Sequence, residues 1–177
     1  LVGSDSYKEI FPDVTLQADS KSASRWGTSY NGEYFAIGVG GALAGRGADL
    51  FIIDDPHSEQ DAKLGKPEVF LPAWEWFQSG PIQRLMPGGA IIVVMTRWSK
   101  LDLTGQIINQ MVKNDDVDDW EVVEFPAIIE DKAGEEAALW PEFWPIEELI
   151  SKRASLDVRY WNAQYLQNPT SEEGALI

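Results

Sequence analysis

The stretch GRGADLFIIDDPH, residues 45–57, decides the fold of this chain. Within it, residues 50–53 (LFII) form a short apolar run that two carboxylates and a proline close. Such a run is typical of a central strand of a parallel sheet that is buried on both faces. Pro56 ends the strand, because proline cannot donate to a sheet ladder. In open α/β sheets ligands bind beyond the carboxyl ends of the strands, so Asp54 and Asp55 are predicted at the lip of a ligand crevice.

Two adjacent carboxylates at this position suit nucleotide hydrolysis. Asp54 would hold the Mg²⁺ ion that bridges the phosphates, and Asp55 would orient or deprotonate the attacking water. A plain strand that enters a turn explains the same residues, because Asp and Pro are common in turns. This stretch alone leaves both interpretations open.

Composition predicts one folded domain. The chain has 177 residues, 44% of them hydrophobic, with eight tryptophans. This length fits a single domain on the usual scale of about 100–200 residues. The absence of cysteine excludes a disulfide framework and thiolate chemistry. No stretch approaches the ~18 consecutive apolar residues of a membrane span, so no membrane association is predicted.

The charge balance is strongly acidic. Twenty-nine acidic residues against 14 basic ones give a formal net charge of −15. Such a surface repels DNA, RNA and anionic membranes. Any contact with nucleic acid is therefore expected to be local, or to come from parts of the protein outside this chain.

A second buried strand and a crossover come further along the chain. Residues 90–95 (AIIVVM) form another wholly apolar run. Ser99 is a good helix N-cap, and Asp102 completes a pair that resembles a capping box, for a helix over residues 100–113. Residues 120–125 (WEVVEF) have the composition of a third strand. Strand, helix and strand at this spacing predict a right-handed βαβ crossover in a parallel sheet.

The remaining segments are simpler. Residues 71–86 predict a helix that Gly80 and Pro81 break, with aromatic side chains that favour a core position over a base-stacking platform. Residues 33–38 have strand composition, and the polar residues 19–29 are predicted as a loop.

No phosphate-binding loop is encoded. The pattern G-x-x-x-x-G-K-[ST] fails, since Lys66 is followed by Pro67 and Gln60 stands where the first glycine is needed. The dinucleotide pattern G-x-G-x-x-G fails at Leu43.

Taken in order, four segments resemble the ATPase domain of large terminase subunits, the DNA-packaging motors of tailed bacteriophages. They read IGVGGALAGRGADLFIIDDPHSEQDA, GGAIIVVMTRWSKLDLTGQII, LWPEFWPIEEL and YWNAQYLQNPTSEEGALI. The resemblance covers nearly all of the chain from residue 7 onward. It implies an α/β fold with a parallel sheet, the core of an additional-strand P-loop ATPase. This core has three layers, αβα, and in this chain it lacks its Walker A segment.

The resemblance also implies roles for individual residues. Asp54 would be the Walker B acid that binds Mg²⁺, and Asp55 would be the catalytic base, although many members carry the longer glutamate there. Thr96 would lie at the motif that couples γ-phosphate sensing to movement, assisted by Arg97. Arg46 would be an arginine finger that acts on the nucleotide of a neighbouring subunit, where it neutralises developing charge. A solvated loop arginine and an ordinary strand-end hydroxyl are the alternatives at positions 46 and 96.

The same resemblance predicts the biological setting. The cofactors are ATP and Mg²⁺, and the partners are viral double-stranded DNA, the portal protein and the small terminase subunit, in a homo-oligomeric ring. The site of action is the host cell cytoplasm, transiently on the procapsid portal. The resemblance implies a partial ATPase domain over residues 7–168 and a linker toward a nuclease domain over 169–177. Residues 1–6 look unlike the rest of the chain, and Gly3 and Ser4 among them indicate a remnant of cloning.

Because Walker A is missing, we expect this chain to be inactive alone. The sheet would also lack a neighbouring strand, and its unpaired edge would invite self-association.

Two other functions remain open from the sequence. A metal-dependent hydrolase could use Asp54, Asp55 and His57 directly, although a zinc site is disfavoured because no further His or Cys is available. A non-catalytic α/β interaction module would instead use the tryptophans as a partner surface.

Overall fold

The computed structural model describes residues 2–43, 45–64, 66–114, 116 and 120–170, apart from the side chains of residues 18–21 and 61. The chain divides into two compact units, Leu1–Ala42 and Leu43–Ile177. Both combine helix and strand, as the predicted α/β class requires. Most of the linker predicted over residues 169–177 lies outside the described residues.

The first unit is a small antiparallel sheet with one helix. Its elements are α1 (Asp5–Ile10), β1 (Leu16–Ser22), β2 (Arg25–Thr28) and β3 (Glu33–Phe35), with strand order β1-β2-β3. Trp26 on β2 stacks on Tyr34 of β3 with ring centroids 4.8 Å apart. The strand predicted over 33–38 is confirmed in part. The loop predicted over 19–29 is wrong, because cross-strand pairing overrides the polar composition of β1 and β2.

The second unit contains the two apolar runs as neighbouring strands. β4 (Ala48–Asp54) and β5 (Leu85–Val94) form a parallel pair, in which Ile53 lies opposite Val93 and Asp54 opposite Val94. The chain between them is largely helical, with α2 (Glu59–Lys63), a 3₁₀ turn (Pro67–Val69), α3 (Leu71–Ser79) and α4 (Pro81–Arg84). The predicted break at Gly80 and Pro81 is confirmed.

The helix after β5 begins later than predicted. Helix α5 (Leu103–Lys113) has Asp102 as its N-cap, in place of Ser99. The Asp102 carboxylate accepts a hydrogen bond from the amide of Gly105 at 2.8 Å, which is the N-cap geometry. Residues 100–102 therefore belong to the loop between β5 and α5.

The two faces of the β4–β5 sheet differ in their surroundings. One face, which we call the covered face, carries Ile53, Ile91 and Val93. It packs on a cluster formed by Phe77 of α3 with Leu103 and Ile107 of α5.

The other side, the open face, carries large apolar side chains that remain exposed. They are Leu50, Ile52, Ile92 and Val94. The prediction that β4 is buried on both faces is therefore wrong for the residues that the structure describes. The parallel sheet is confirmed, with helices over one face of it.

The segment 120–125 is not a strand. Among the described residues, no backbone hydrogen bond joins it to β5, and the sheet has two strands. A cavity of about 1040 Å³ separates this segment from β5, and Thr104, Ile107 and Ile108 of α5 also line it. We call this cavity the β5 groove. The segment has strand composition, but a strand also needs a ladder partner, and the groove lies where that partner would be.

Residues 127–166 form a hairpin and helices with a core of their own. Their elements are β6 (Ile128–Glu130), β7 (Glu136–Ala138), α6 (Ile146–Ser155), α7 (Val158–Tyr160) and a π-helical turn (Trp161–Tyr165). Ala138, Leu149 and Trp161 form the buried cluster between them. In the part of the chain that the structure describes, no helix has the length and apolar character needed to cross a membrane.

Candidate functional site

The structure brings together the polar residues that lie just after the two parallel strands. Asp54 and Asp55 lie at the carboxyl end of β4, and Thr96 lies just beyond the end of β5. The Thr96 amide donates a hydrogen bond to Oδ1 of Asp55 at 3.2 Å, and the Asp55 amide donates to the Val94 carbonyl at 2.9 Å. Both aspartates are exposed, so the predicted lip of a crevice is accessible to solvent. Thr96 is half-buried.

Asp55 has an unusual backbone conformation. Its φ angle is +41°, in the left-handed region that non-glycine residues rarely adopt. Aspartate is one of the few side chains that tolerate this region, although the conformation still costs about 1–3 kcal/mol. Its hydrogen bonds to Val94 and Thr96 hold the residue in place. Strain of this kind clusters at functional sites, which adds weight to this position.

Arg97 is placed differently from Thr96. Its side chain is buried, and Nε donates to Asp102 Oδ2 at 3.0 Å and to Oδ1 at 3.2 Å. Nη2 donates to the Ser99 carbonyl at 3.4 Å. The guanidinium is thus committed to the loop between β5 and α5, where it supports the position of Thr96 through the backbone.

Asp102 is the centre of this loop. Its side chain is completely buried and also accepts hydrogen bonds from the amides of Trp98 and Ser99, at 2.9 and 3.1 Å. Together with Arg97 and Gly105, these donors satisfy both carboxylate oxygens. A fully paired buried carboxylate of this kind fixes the loop that carries the strand-end residues.

Gly105 allows the loop to close on α5. A Cβ atom at this position would lie 2.2 Å from the Lys100 carbonyl oxygen. Only glycine permits this close approach of the backbone. The tight loop depends on this residue as well as on the carboxylate of Asp102.

His57 links the loop after β4 to the start of α5. Its Nε2 accepts a hydrogen bond from the Leu103 amide at 2.8 Å, and its ring packs edge-on against Phe70. Burial lowers the pKa of His57, while the charge of Asp102 acts in the opposite direction. The neutral ring is therefore the favoured form, with Nε2 already occupied as an acceptor.

Arg46 lies in the loop before β4. It is half-buried, and its amide donates to the Leu43 carbonyl at 3.3 Å. Its role as an arginine finger stays a prediction, because that role concerns a neighbouring subunit.

Two supports of this site do not emerge from the sequence pattern. The pattern indicates His57 only as a candidate metal ligand, and Asp102 only as the second member of a capping pair. Asp102 stands directly before Leu103, the first residue of the apolar stripe of α5, and that N-cap signal could have identified it. Nothing local could have revealed the bond of His57 to Leu103, since it joins residues 46 positions apart.

Comparison with known proteins gives no independent assignment: no protein-family model matches the sequence, and no curated protein matches it. Function must therefore be inferred from the geometry of the strand ends and from the order of motifs in the sequence.

Proposed function

We propose that this chain is part of the ATPase domain of a large terminase subunit, the motor that uses ATP hydrolysis to package viral DNA into a procapsid. The observation that carries the proposal is the hydrogen bond from Thr96 to Asp55, which joins the carboxyl ends of two adjacent parallel strands. In α/β sheets this edge is where ligands bind. An acid pair on one strand end and a hydroxyl on the next supply the groups that nucleotide hydrolysis needs.

The donor set fits Mg²⁺. Asp54 offers an exposed carboxylate, and Mg²⁺ is usually bound by one or two carboxylates together with waters and substrate phosphates. Among the described residues, no group of three or more His, Cys, Asp or Glu is arranged around one point. In this proposal Asp54 would hold the ion together with water and phosphate oxygens, and Mg²⁺ would supply positive charge beside the phosphates.

Asp55 is the proposed general base. One of its carboxylate oxygens accepts the Thr96 amide, and the other keeps the capacity to accept a hydrogen bond from water. The same hydrogen bond would couple hydrolysis to movement, because a shift of Asp55 would act directly on the Thr96 amide at the end of β5. Arg97 and Asp102 act as positioning residues behind Thr96.

The wider proposal comes from the resemblance to terminases. The complete domain would be a three-layer αβα sandwich, in which a second layer of helices covers the open face. A phosphate-binding loop from outside this chain would complete the ATP site. The active form would be a ring in which Arg46 acts on the neighbouring subunit. Its partners would be double-stranded DNA, the portal protein and the small terminase subunit, in the host cytoplasm. The strongly acidic composition of the chain agrees with DNA contacts that lie mainly in parts of the protein outside this chain.

The test is ATP hydrolysis by the whole protein that contains this chain. Asp55→Asn keeps an acceptor for the Thr96 amide but removes the base, so kcat should fall by about 10²–10⁴-fold. Asp54→Asn should abolish turnover, because it removes the proposed ligand of Mg²⁺. Thr96→Val leaves its backbone amide intact and should uncouple hydrolysis from DNA movement. Asp157→Asn, at the exposed N-cap of α7, is the matched control and should leave the rate unchanged. Full activity in Asp54→Asn and Asp55→Asn would refute the proposal.

The interaction module is the second candidate, and the exposed apolar side chains of the open face favour it. It predicts that Asp54→Asn has no effect on any activity of the protein. The direct Asp54, Asp55 and His57 hydrolase receives no such support, because Nε2 of His57 is occupied by the Leu103 amide.

A further inference from the structure

Arg84 and Arg46 share one hydrogen-bond acceptor. Arg84 is the last residue of α4, and its half-buried side chain donates a hydrogen bond from Nε to the Leu43 carbonyl at 2.5 Å. The Arg46 amide donates to the same carbonyl at 3.3 Å. A carbonyl oxygen has two lone pairs and can accept both bonds. The Leu43 carbonyl therefore joins the end of α4 to the loop that carries Arg46.

The turn that leads to Arg46 depends on this carbonyl. The bond from the Arg46 amide to Leu43 joins residues three positions apart, which is the closing bond of a β-turn. Gly45, the third residue of the turn, has a φ of +74°, a value that glycine adopts without strain. The position of the Leu43 carbonyl therefore determines where the backbone of Arg46 lies.

The Leu43 side chain is anchored where α3 and α4 meet. It is buried, and its Cδ1 lies only 3.0 Å from the point that a Cβ atom on Gly80 would occupy. Leu43 can pack this closely because Gly80 has no side chain. Gly80 and Arg84 thus hold the side chain and the carbonyl of one residue, which fixes the start of the turn.

The residues after Arg46 contact the start of β5. A Cβ atom on Gly47 would lie 2.6 Å from Sδ of Met86, so the loop passes close to this side chain. Ala48 then pairs with the first residue of β5. The segment 80–86 therefore holds the Arg46 loop on both sides, through Leu43 before it and through Gly47 and Ala48 after it.

Arg46 and Asp54 lie at opposite ends of β4. Arg46 comes two residues before the strand begins, and Asp54 is its last residue. A strand of seven residues separates its two ends by about 20 Å. An arginine side chain cannot span that distance, so any action of Arg46 on a nucleotide concerns another subunit.

We infer that Arg84 is a positioning residue, which sets the place of Arg46 in the ring through the Leu43 carbonyl. The hydrogen bond from Nε is what matters for this role, and the positive charge of the guanidinium is not needed for it. The action of Arg46 on a neighbouring nucleotide rests on the proposed function. The hold of Arg84 on the turn does not.

Two substitutions separate the hydrogen bond from the charge. Glutamine carries an amide nitrogen at the place of the arginine Nε, whereas methionine has a carbon there and cannot donate. In the whole protein that contains this chain, Arg84→Met should lower the kcat of ATP hydrolysis by about 10²-fold, the usual cost of a displacement of about 1 Å. The KM for ATP should stay unchanged, and Arg84→Gln should keep most of the activity.

The matched control is Arg153→Met. Arg153 is half-buried like Arg84, and it pairs with Glu136 on β7, away from the Arg46 loop. Its loss should change neither kcat nor KM. Equal kcat values in Arg84→Met and Arg84→Gln, or a raised KM with an unchanged kcat in Arg84→Met, would overturn the inference.

Mixed rings test whether Arg84 acts on a neighbouring subunit. Asp54→Asn subunits lack turnover in the proposed function but keep the Arg46 loop intact. An excess of them, mixed with Arg84→Met subunits, should raise turnover per intact Asp54 site by at least about tenfold, because each intact site then receives a well-placed Arg46. A residue that only supported the fold of its own subunit would not be rescued in this way. No recovery would therefore overturn the inference.

Backbone hydrogen exchange tests the hold on the turn without any activity. The Arg46 amide should exchange at least about tenfold faster in Arg84→Met than in Arg84→Gln. The amides of the β4–β5 ladder should keep the same protection in both variants. Faster exchange throughout the ladder would make Arg84 a support of the whole fold, and equal exchange at Arg46 would remove its hold on the turn. Either result contradicts the inference.

The two proposals can fail separately. Full turnover in Asp54→Asn and Asp55→Asn would refute the proposed function, while faster exchange of the Arg46 amide in Arg84→Met would still establish the hold on the turn. Loss of turnover in Asp54→Asn together with normal kcat in Arg84→Met would have the opposite meaning.

Discussion

Ile52 and Ile53 are the same residue type at adjacent positions of β4, yet Ile53 is 4% exposed and Ile52 is 62% exposed. Ile53 lies on the covered face, where α3 and α5 supply a second layer. Ile52 lies on the open face, with no layer over it in the described part of the chain. The apolar sequence of β4 predicts burial of both faces, whereas the burial of each side chain depends on whether helices lie over its face of the sheet.

The largest expected effect comes from breaking the buried ion pair at the start of α5, the helix that packs on the covered face. Asp102→Ala removes the N-cap of α5 and leaves the buried Arg97 guanidinium without its partner. Breaking a buried ion pair in this way costs about 3–5 kcal/mol. The free energy of unfolding, measured by urea denaturation, should fall by that amount.

The control is Asp157→Ala at the N-cap of α7. That carboxylate accepts a hydrogen bond from the Arg159 amide and is exposed, so its loss should cost about 1 kcal/mol. If the free energy of unfolding falls equally in the two variants, burial of the Arg97–Asp102 pair contributes nothing to stability.

The next effect compares the two faces directly. Ile53→Ala opens a cavity beside Phe77 and should lower the free energy of unfolding by about 2–5 kcal/mol. Ile52→Ala removes the same atoms from an exposed side chain and should change it by less than about 0.5 kcal/mol. Chemical denaturation of both variants measures the difference. If Ile52→Ala proves as costly as Ile53→Ala, the open face is covered in solution.

The smallest effect concerns pH. Burial lowers the pKa of His57 below its unfolded value of about 6.5, so the unfolded chain binds more protons than the folded chain in the window just below that value. The stability that neutral His57 contributes is therefore present above pH 6.5 and is lost as the pH falls through the window. For one proton the slope cannot exceed about 1.4 kcal/mol per pH unit.

This dependence can be isolated because His57 is the only histidine. The free energy of unfolding should be measured between pH 5.5 and about 7.5, the range in which only histidine side chains normally titrate, for the chain and for His57→Gln. The difference between the two should grow with pH. A constant difference would show that the bond from Leu103 to His57 does not depend on protonation.

Strand and helix positions with strong local signals could be predicted. The LFII and AIIVVM runs predict β4 and β5, and the Gly80-Pro81 break separates α3 from α4. The polar composition of residues 19–29 could not reveal β1 and β2, because a strand also needs a pairing partner: β1 pairs with β2, and Trp26 of β2 stacks on Tyr34 of β3. At the site, the position of Asp54, Asp55 and Thr96 at strand ends could be read from the pattern. The pairing of Arg97 with Asp102 could not, because either residue alone is an ordinary loop charge.

The sequence by itself determined the existence of the two apolar strands and the placement of acids at the end of one of them. Both come from local chemistry: the apolar composition of the run, and a proline that ends its ladder. The tertiary structure alone decided that β4 and β5 are parallel neighbours, that His57 holds the start of α5, and that the segment 120–125 stands apart from the sheet. Each of these depends on contacts between residues distant in the chain, which form only when the layers that bury them are in place.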